Sequence, residues 1–280
     1  MADYKIETMT ASDVRTAVNW AGREGWNPGL HDAETFFAAD PAGFFKGTLG
    51  GEIVATGSAV IYDDHYAFCG LYIVAPEHRG KGYGLALTKT RLAHCGDRNV
   101  GIDGVLENVR IYERIGYKPF YENCRFEGEA KAEAHDAGAV HAITAADFDA
   151  IRAYDRQCFP AHRDAFLKAW LGQGDARAVC FKEDGVVKGF AVRRKCLEGH
   201  KVGPLFADDA HVAETLFGAL QADIEGEKII LDTPEYNLEA IRLATLHGMK
   251  KVFATARMYQ KGLPDIRTGQ IFGITTFELG

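Results

Sequence analysis

E77-H-R-G-K-G-Y-G84 sets glycines at 80, 82 and 84 beside the cations Arg79 and Lys81, directly ahead of the helix-like run L85-A-L-T-K-T-R-L-A-H94. A turn this bare lets another molecule approach the backbone, and the helix start behind it presents unsatisfied N–H groups with a partial positive charge. Such a turn suits a phosphate or pyrophosphate. Two familiar phosphate loops do not fit. The pattern G-x-x-x-x-G-K-[ST] needs Lys-Ser or Lys-Thr after the last glycine, and the dinucleotide pattern G-x-G-x-x-G counted from Gly80 needs a glycine where Leu85 stands. What remains is R-x-x-G-x-G, met by Arg79, Gly82 and Gly84 behind the apolar run L71-Y-I-V74.

Outward from the turn, the first half reads as a strand (Tyr4 to Met9), a helix from about Ser12, a loop G22-R-E-G-W-N-P-G29, and a second helix that Asp32 can cap. Three strand-like runs follow, FFKGTL, IVATGSAVI and YAFCGLYIV, joined by Gly50-Gly51 and Asp63-Asp64 as antiparallel hairpins. Behind the turn come a helix (Tyr83 to Cys95), a strand (Val100 to Asp103), a helix through Ile111 and Tyr112, and a strand from Tyr117. E127-G-E-A-K-A-E-A-H-D-A-G138 is charged and alanine-rich, as linkers are. Beyond it the same order of elements returns, with Asp184-Gly185 as a hairpin turn and the echoes G101-I-D-G with I230-L-D-T and I115-G-Y-K with H247-G-M-K. The expectation is an α/β (α+β) chain of two duplicated domains, 1–128 and 139–280, around a linker at 129–138. Each is expected to hold a mixed, mainly antiparallel twisted sheet flanked by helices.

Composition narrows the function. With 32 Lys+Arg against 39 Asp+Glu the net charge is -7, which opposes generic nucleic-acid binding. No stretch reaches the ~18 apolar residues of a membrane span, and the first ten residues lack a basic start followed by an apolar run, so a cytoplasmic location is expected. Six cysteines without C-x-x-C and ten histidines without ligand spacing read as reduced thiols and no metal site.

The stretch L71-Y-I-V-A-P-E-H-R-G-K-G-Y-G84, together with Y112-E-R-I-G-Y117 and the order of elements, resembles the GNAT superfamily of acyl-CoA-dependent N-acyltransferases. W26-N-P-G29, I102-D-G-V105 and F277-E-L-G280 are further similar to a bacterial group of tandem GNAT proteins. The resemblance implies coenzyme A pyrophosphate on Arg79, Gly80, Lys81, Gly82, Tyr83 and Gly84, and the pantetheine arm along Tyr72, Ile73 and Val74. It also implies that Tyr112 is the acid that protonates the departing thiolate. A tyrosine that only packs its helix is the other reading. No glutamate lies on the strand Tyr66 to Val74, so Asp103 is the candidate base, with a capping or turn aspartate as the alternative. The resemblance further implies that Trp26 and Asn27 border the acceptor pocket, with a tryptophan that only packs the core as the other reading. Val105 replaces the asparagine usual in the family, and Asn108 stands outside the expected coenzyme site.

In the second half the turn is replaced by A207-D-D-A-H211, and Ala244 stands where Tyr112 does, although Asn237 keeps the family's position. Two aspartates there oppose a pyrophosphate. The expected function is acetyl transfer from acetyl-CoA to a primary amine of a small molecule or peptide. A coenzyme A-binding sensor without turnover is the alternative.

Overall fold

A computed structural model describes residues 3–132 and 138–280. The first half forms β1 (Tyr4–Thr8), α1 (Ala11–Arg23), α2 (Asp32–Ala39), β2 (Phe44–Leu49), β3 (Glu52–Ile61), β4 (Tyr66–Val74), α3 (Tyr83–Cys95), β5 (Asn99–Val105), α4 (Val109–Glu113) and β6 (Lys118–Glu129). The second repeats the series as β7 (Val140–Ala142), α5 (Phe148–Cys158), α6 (Asp164–Gly172), β8 (Arg177–Glu183), β9 (Val186–Lys195), β10 (His200–Ala207), α7 (Ala210–Gln221), β11 (Lys228–Pro234), α8 (Leu238–Leu246) and β12 (Lys250–Tyr259). It then adds a short β13 (Ile271–Gly273). Residues 133–137 of the expected linker lie outside the described residues.

Local chemistry explains the element ends. Thr10 and Asp13 close a reciprocal capping box at the start of α1. The hairpin turns take left-handed backbone at both central residues, Gly50 and Gly51 (φ 57° and 90°) and Asp184 and Gly185 (φ 50° and 78°). Asp32 departs from its expected capping role. It begins α2 and is fully buried, accepting the Gly29 N–H at 2.7 Å and meeting Arg194 Nε at 2.9 Å. An aspartate at a helix start reads as a cap, and a partner 162 residues away leaves no local sign.

The mixed, mostly antiparallel sheet is continuous through both halves, in the order β1-β2-β3-β4-β5-β12-β6-β11-β10-β9-β8-β7, with β13 beside β10. The halves exchange their last long strands: β12 lies between β5 and β6, while β6 lies between β12 and β11. Each exchanged strand brings an arginine opposite an aspartate of the other half. Arg257 faces Asp103 in register and binds it with two bonds of 2.8 and 2.7 Å, and Arg125 faces Asp232 with two of 2.7 Å. The echo of I-D-G in L-D-T thus marks a pair of equivalent cross-half ion pairs. Helix α6 adds apolar contact, its Trp170 stacking at 6.3 Å on Phe36 of α2 in a core that also takes in Val14 and Val18.

Two parallel pairings open wedges in the sheet. β4 and β5 pair only from Tyr66 with Asn99 to Phe68 with Gly101, and β4 then diverges at Leu71, whose φ is 47°. β10 and β11 pair only from His200 with Ile229 to Val202 with Leu231. The second wedge is filled by the chain itself, because β13 pairs with β10 at Leu205 and Phe206.

Candidate active site

The open wedge is the floor of a cleft of about 1010 Å³ between β4, the start of α3, α4 and the exchanged β12. At its mouth Gly80 and Gly82 have φ of 73° and 86°, which a side chain would strain. Gly82 is the N-cap of α3 and no side chain caps that helix, so its first N–H groups are unclaimed by side chains. Gly84 serves packing instead, since a Cβ there would overlap the Tyr72 hydroxyl, and its absence lets α3 lie close on β4. Arg79 braces the turn, donating from Nε to the Val74 carbonyl at 2.9 Å and from a terminal nitrogen to Glu24 at 2.7 Å. Tyr72, Ile73, Val74, Arg79, Gly80, Gly82, Tyr83 and Gly84 all line the cleft; Lys81 is exposed and stands outside its lining.

Tyr112 lies half-buried in the same cleft, one turn after Asn108, which also lines it. Its ring rests on Gly104 of β5, where a Cβ would come within 2.6 Å of it. Burial pushes the Tyr112 hydroxyl above its ordinary range and a hydrogen bond with the Asn108 side chain works against that push. The hydroxyl therefore keeps its proton through neutral and mildly alkaline pH.

Asp103 lines the cleft wall, yet its side chain has no exposed surface and both oxygens are engaged. Oδ1 accepts from Asn123 Nδ2 at 2.7 Å and from Arg257 Nε at 2.8 Å, and Oδ2 accepts from the second Arg257 nitrogen. Burial pushes this carboxyl up and the Arg257 guanidinium opposes the push. Trp26 lines the cleft, and its carbonyl accepts from Lys201 Nζ at 2.9 Å and from Arg125 at 3.3 Å. Asn27 is elsewhere: its side chain both donates to and accepts from the Glu198 backbone, pinning the 24–29 loop to the second half.

Several lining residues escape a reading of the sequence. Arg91, buried inside α3, donates to the Ser58 carbonyl at 2.7 Å and the Gly70 carbonyl at 3.2 Å and lies over the Tyr72 ring. Phe253 and Thr255 come from β12, and Phe277 and Glu278 from the segment after β13. The second half's equivalents are spent on its own chain. Asp209 caps α7 by accepting the Val212 N–H at 2.9 Å, so the N–H that an anion would use is taken. Asp208 accepts from Tyr154 and Gln270, and Asn237 donates to the carbonyls of Gly269 and Ile271, holding β13 in the wedge. Ala244 is fully buried. Among the described residues no group of His, Cys, Asp or Glu could hold a metal ion, and no helix is long and apolar enough to cross a membrane.

Comparison with known proteins agrees with this architecture. Residues 11–117 match the Acetyltransferase (GNAT) family and residues 151–273 an acetyltransferase (GNAT) domain. The chain belongs to the GNAT acyltransferases, a family of enzymes that generally draw the acyl group from acyl-CoA. It is 36% identical over 263 residues to holothin acyltransferase of Pseudoalteromonas sp. (strain SANK 73390), covering 93% of this chain and 89% of that protein. Its fold is that of a Pyrococcus horikoshii protein assigned as an acetyltransferase (TM-score 0.83, 21% identity, 100% of this chain and 97% of that one). It is also that of a tandem GNAT protein from the clavulanic acid biosynthesis pathway (TM-score 0.63, 13% identity, 92% and 98%).

Proposed function

We propose that the first half binds one acetyl-CoA and transfers its acetyl group to a primary amine of a small molecule or peptide in the cytoplasm. The observation that carries this reading is the contrast between the wedges: one is open beside a bare glycine turn and Tyr112, the other is filled by β13. The unclaimed N–H groups of α3 and the backbone of Arg79 to Gly84 hold the pyrophosphate, while Tyr72, Ile73 and Val74 offer the pantetheine arm a free strand edge. Lys81 contributes only charge at the rim. Acetyl-CoA supplies an activated acyl carbon, and the chain's residues orient it, receive the amine and provide the proton for the leaving sulfur.

Tyr112 is that proton donor, being protonated at neutral pH and set in the cleft. Asp103 serves as an anchor of the sheet, because its side chain has no exposed surface and its oxygens already accept three hydrogen bonds, two of them from the Arg257 guanidinium. Trp26, Phe253 and Phe277, which all line the cleft, wall the acceptor side, and Asn27 shapes the loop that carries Trp26. Six buried, unpaired cysteines suit a reducing compartment.

A screen of amines for acetyl-CoA-dependent thiol release tests the reading, with holothin first because of the similarity to holothin acyltransferase. Release that depends on an amine is the expected result, and none with any amine rejects it. Calorimetry on the intact chain should give one acetyl-CoA per chain. Two sites would mean that β13 leaves its wedge.

A further inference from the structure

Four carboxylates line the cleft, and three of them are bound. Glu24 pairs with Arg79 at 2.7 Å, Asp103 with Arg257 and Asn123, and Glu127 with Lys228 at 3.4 Å. Glu278 differs: it is only 5% exposed, yet among the described residues its carboxylate has neither an ion pair nor a hydrogen bond. An unpartnered carboxylate in an apolar, aromatic-walled cleft is costly unless something that enters the cleft completes it.

Its placement is tightly fixed. The Glu278 and Leu279 N–H groups both donate to Thr276 Oγ1, at 2.9 and 3.0 Å, and the Leu279 carbonyl accepts from Tyr62 at 2.8 Å. The Glu278 backbone lies against Gly70, where any Cβ would overlap its carbonyl oxygen. Gly70 is the residue before Leu71, the point at which β4 turns away from β5. The wedge therefore opens where this carboxylate arrives, in the cleft that also holds Tyr112.

Three buried cations from three strands interact with Glu278: Arg125 of β6, Arg194 of β9 and Lys201 of β10. Arg125 and Arg194 are neutralised by Asp232 and Asp32, and Lys201, whose ammonium burial pushes down, donates to the Trp26 carbonyl. Among the described residues Lys201 is thus a nearby cation without an ion-paired carboxylate of its own. His78 also lines the cleft with a buried, unpartnered Nδ1, but it precedes the glycine turn at the opposite end, with its ring 6.1 Å from that of Tyr83.

We propose that Glu278 receives the acceptor amine and is the base that takes its proton. This rests on the amine-acetylation reading above. In the step, the amine nitrogen bonds to the acyl carbon and the carbon–sulfur bond breaks; the amine proton passes to Glu278, the sulfur takes the proton of Tyr112, and solvent resets both residues. The product is an amide and a free thiol, with no redox change.

Glu278→Gln keeps the size of the side chain and removes the base. At neutral pH, kcat/KM for the amine should fall roughly 10²-fold, and the loss should shrink as pH rises and solution supplies free amine. Acetyl-CoA affinity should stay at the wild-type value, the melting temperature should hold or rise because the variant removes an unpartnered charge, and Glu278→Asp should retain an intermediate rate. A purely structural Glu278 would instead lower the melting temperature and leave the pH profile unmoved. If the wild type acylates no amine, the acceptor reading fails by itself, and hydrolysis of acetyl-CoA alone, with water as acceptor, carries the same comparison. A folded Gln variant with the wild-type rate and pH profile overturns the proposal.

Discussion

Tyr112→Phe should lower kcat by roughly 10²- to 10⁴-fold, the range for a positioned general acid, while the acetyl-CoA Kd stays within a few-fold of wild type. The separation follows from what each part of the side chain does. The ring rests on Gly104, and Phe keeps that contact, so packing and coenzyme binding survive. The hydroxyl, half-buried and held protonated by burial, is the part that meets the leaving sulfur in the proposed step. Because burial raises its pKa, any basic limb that Tyr112 contributes to the rate profile should lie above the ordinary tyrosine range, and a fall in rate near neutral pH has another source. Measuring kcat, Kd and melting temperature on one preparation distinguishes the roles. Full activity in the Phe variant would leave a packing tyrosine and a water-borne proton.

The sequence carried the parts of this site that are local. The glycine turn, the helix behind it and the hairpins are written in residues a few positions apart, where positive φ and period-2 patterns leave their mark, and the structure reproduces them. The mixed sheet and the tandem repeat were legible for the same reason. Legibility ended where the partner is distant. Nothing in β6 or β12 tells which half it joins, since alternation specifies a face and not a neighbour. The sequence offers Asp103 as a candidate base ahead of a helix, but its ion pair with Arg257, 154 residues on, leaves no local sign. Glu278 had one trace, the F277-E-L-G280 motif, but its arrival beside Gly70 is set by the path after β13. The failed glycine turn of the second half was visible as two aspartates. That β13 fills the adjoining wedge was not, because a three-residue strand has too short a pattern to read.

The exchanged strands predict the largest effect on stability. Arg257→Ala should destabilise the whole chain by about 3–5 kcal/mol, because it strands the Asp103 carboxylate without its guanidinium at a site with no exposed surface. At about 2–4 °C per kcal/mol for chains approaching this size, the melting temperature should drop by roughly 6–20 °C. Arg125→Ala should act alike through Asp232, since that pair is its equivalent across the sheet. Removing both charges, as in Asp103→Asn with Arg257→Met, should recover much of the loss, because the expense lies in the unpaired charge and not in the absent attraction. The shape of the transition carries the topological half of the claim. β12 is hydrogen-bonded to β5 and β6 at once, and β6 to β12 and β11, so neither half can release its last strand without opening the other. Calorimetric unfolding of the variants should therefore remain one transition that moves as a unit. Two transitions, one of them still at the wild-type temperature, would show that the halves fold separately and that the shared sheet does not couple them.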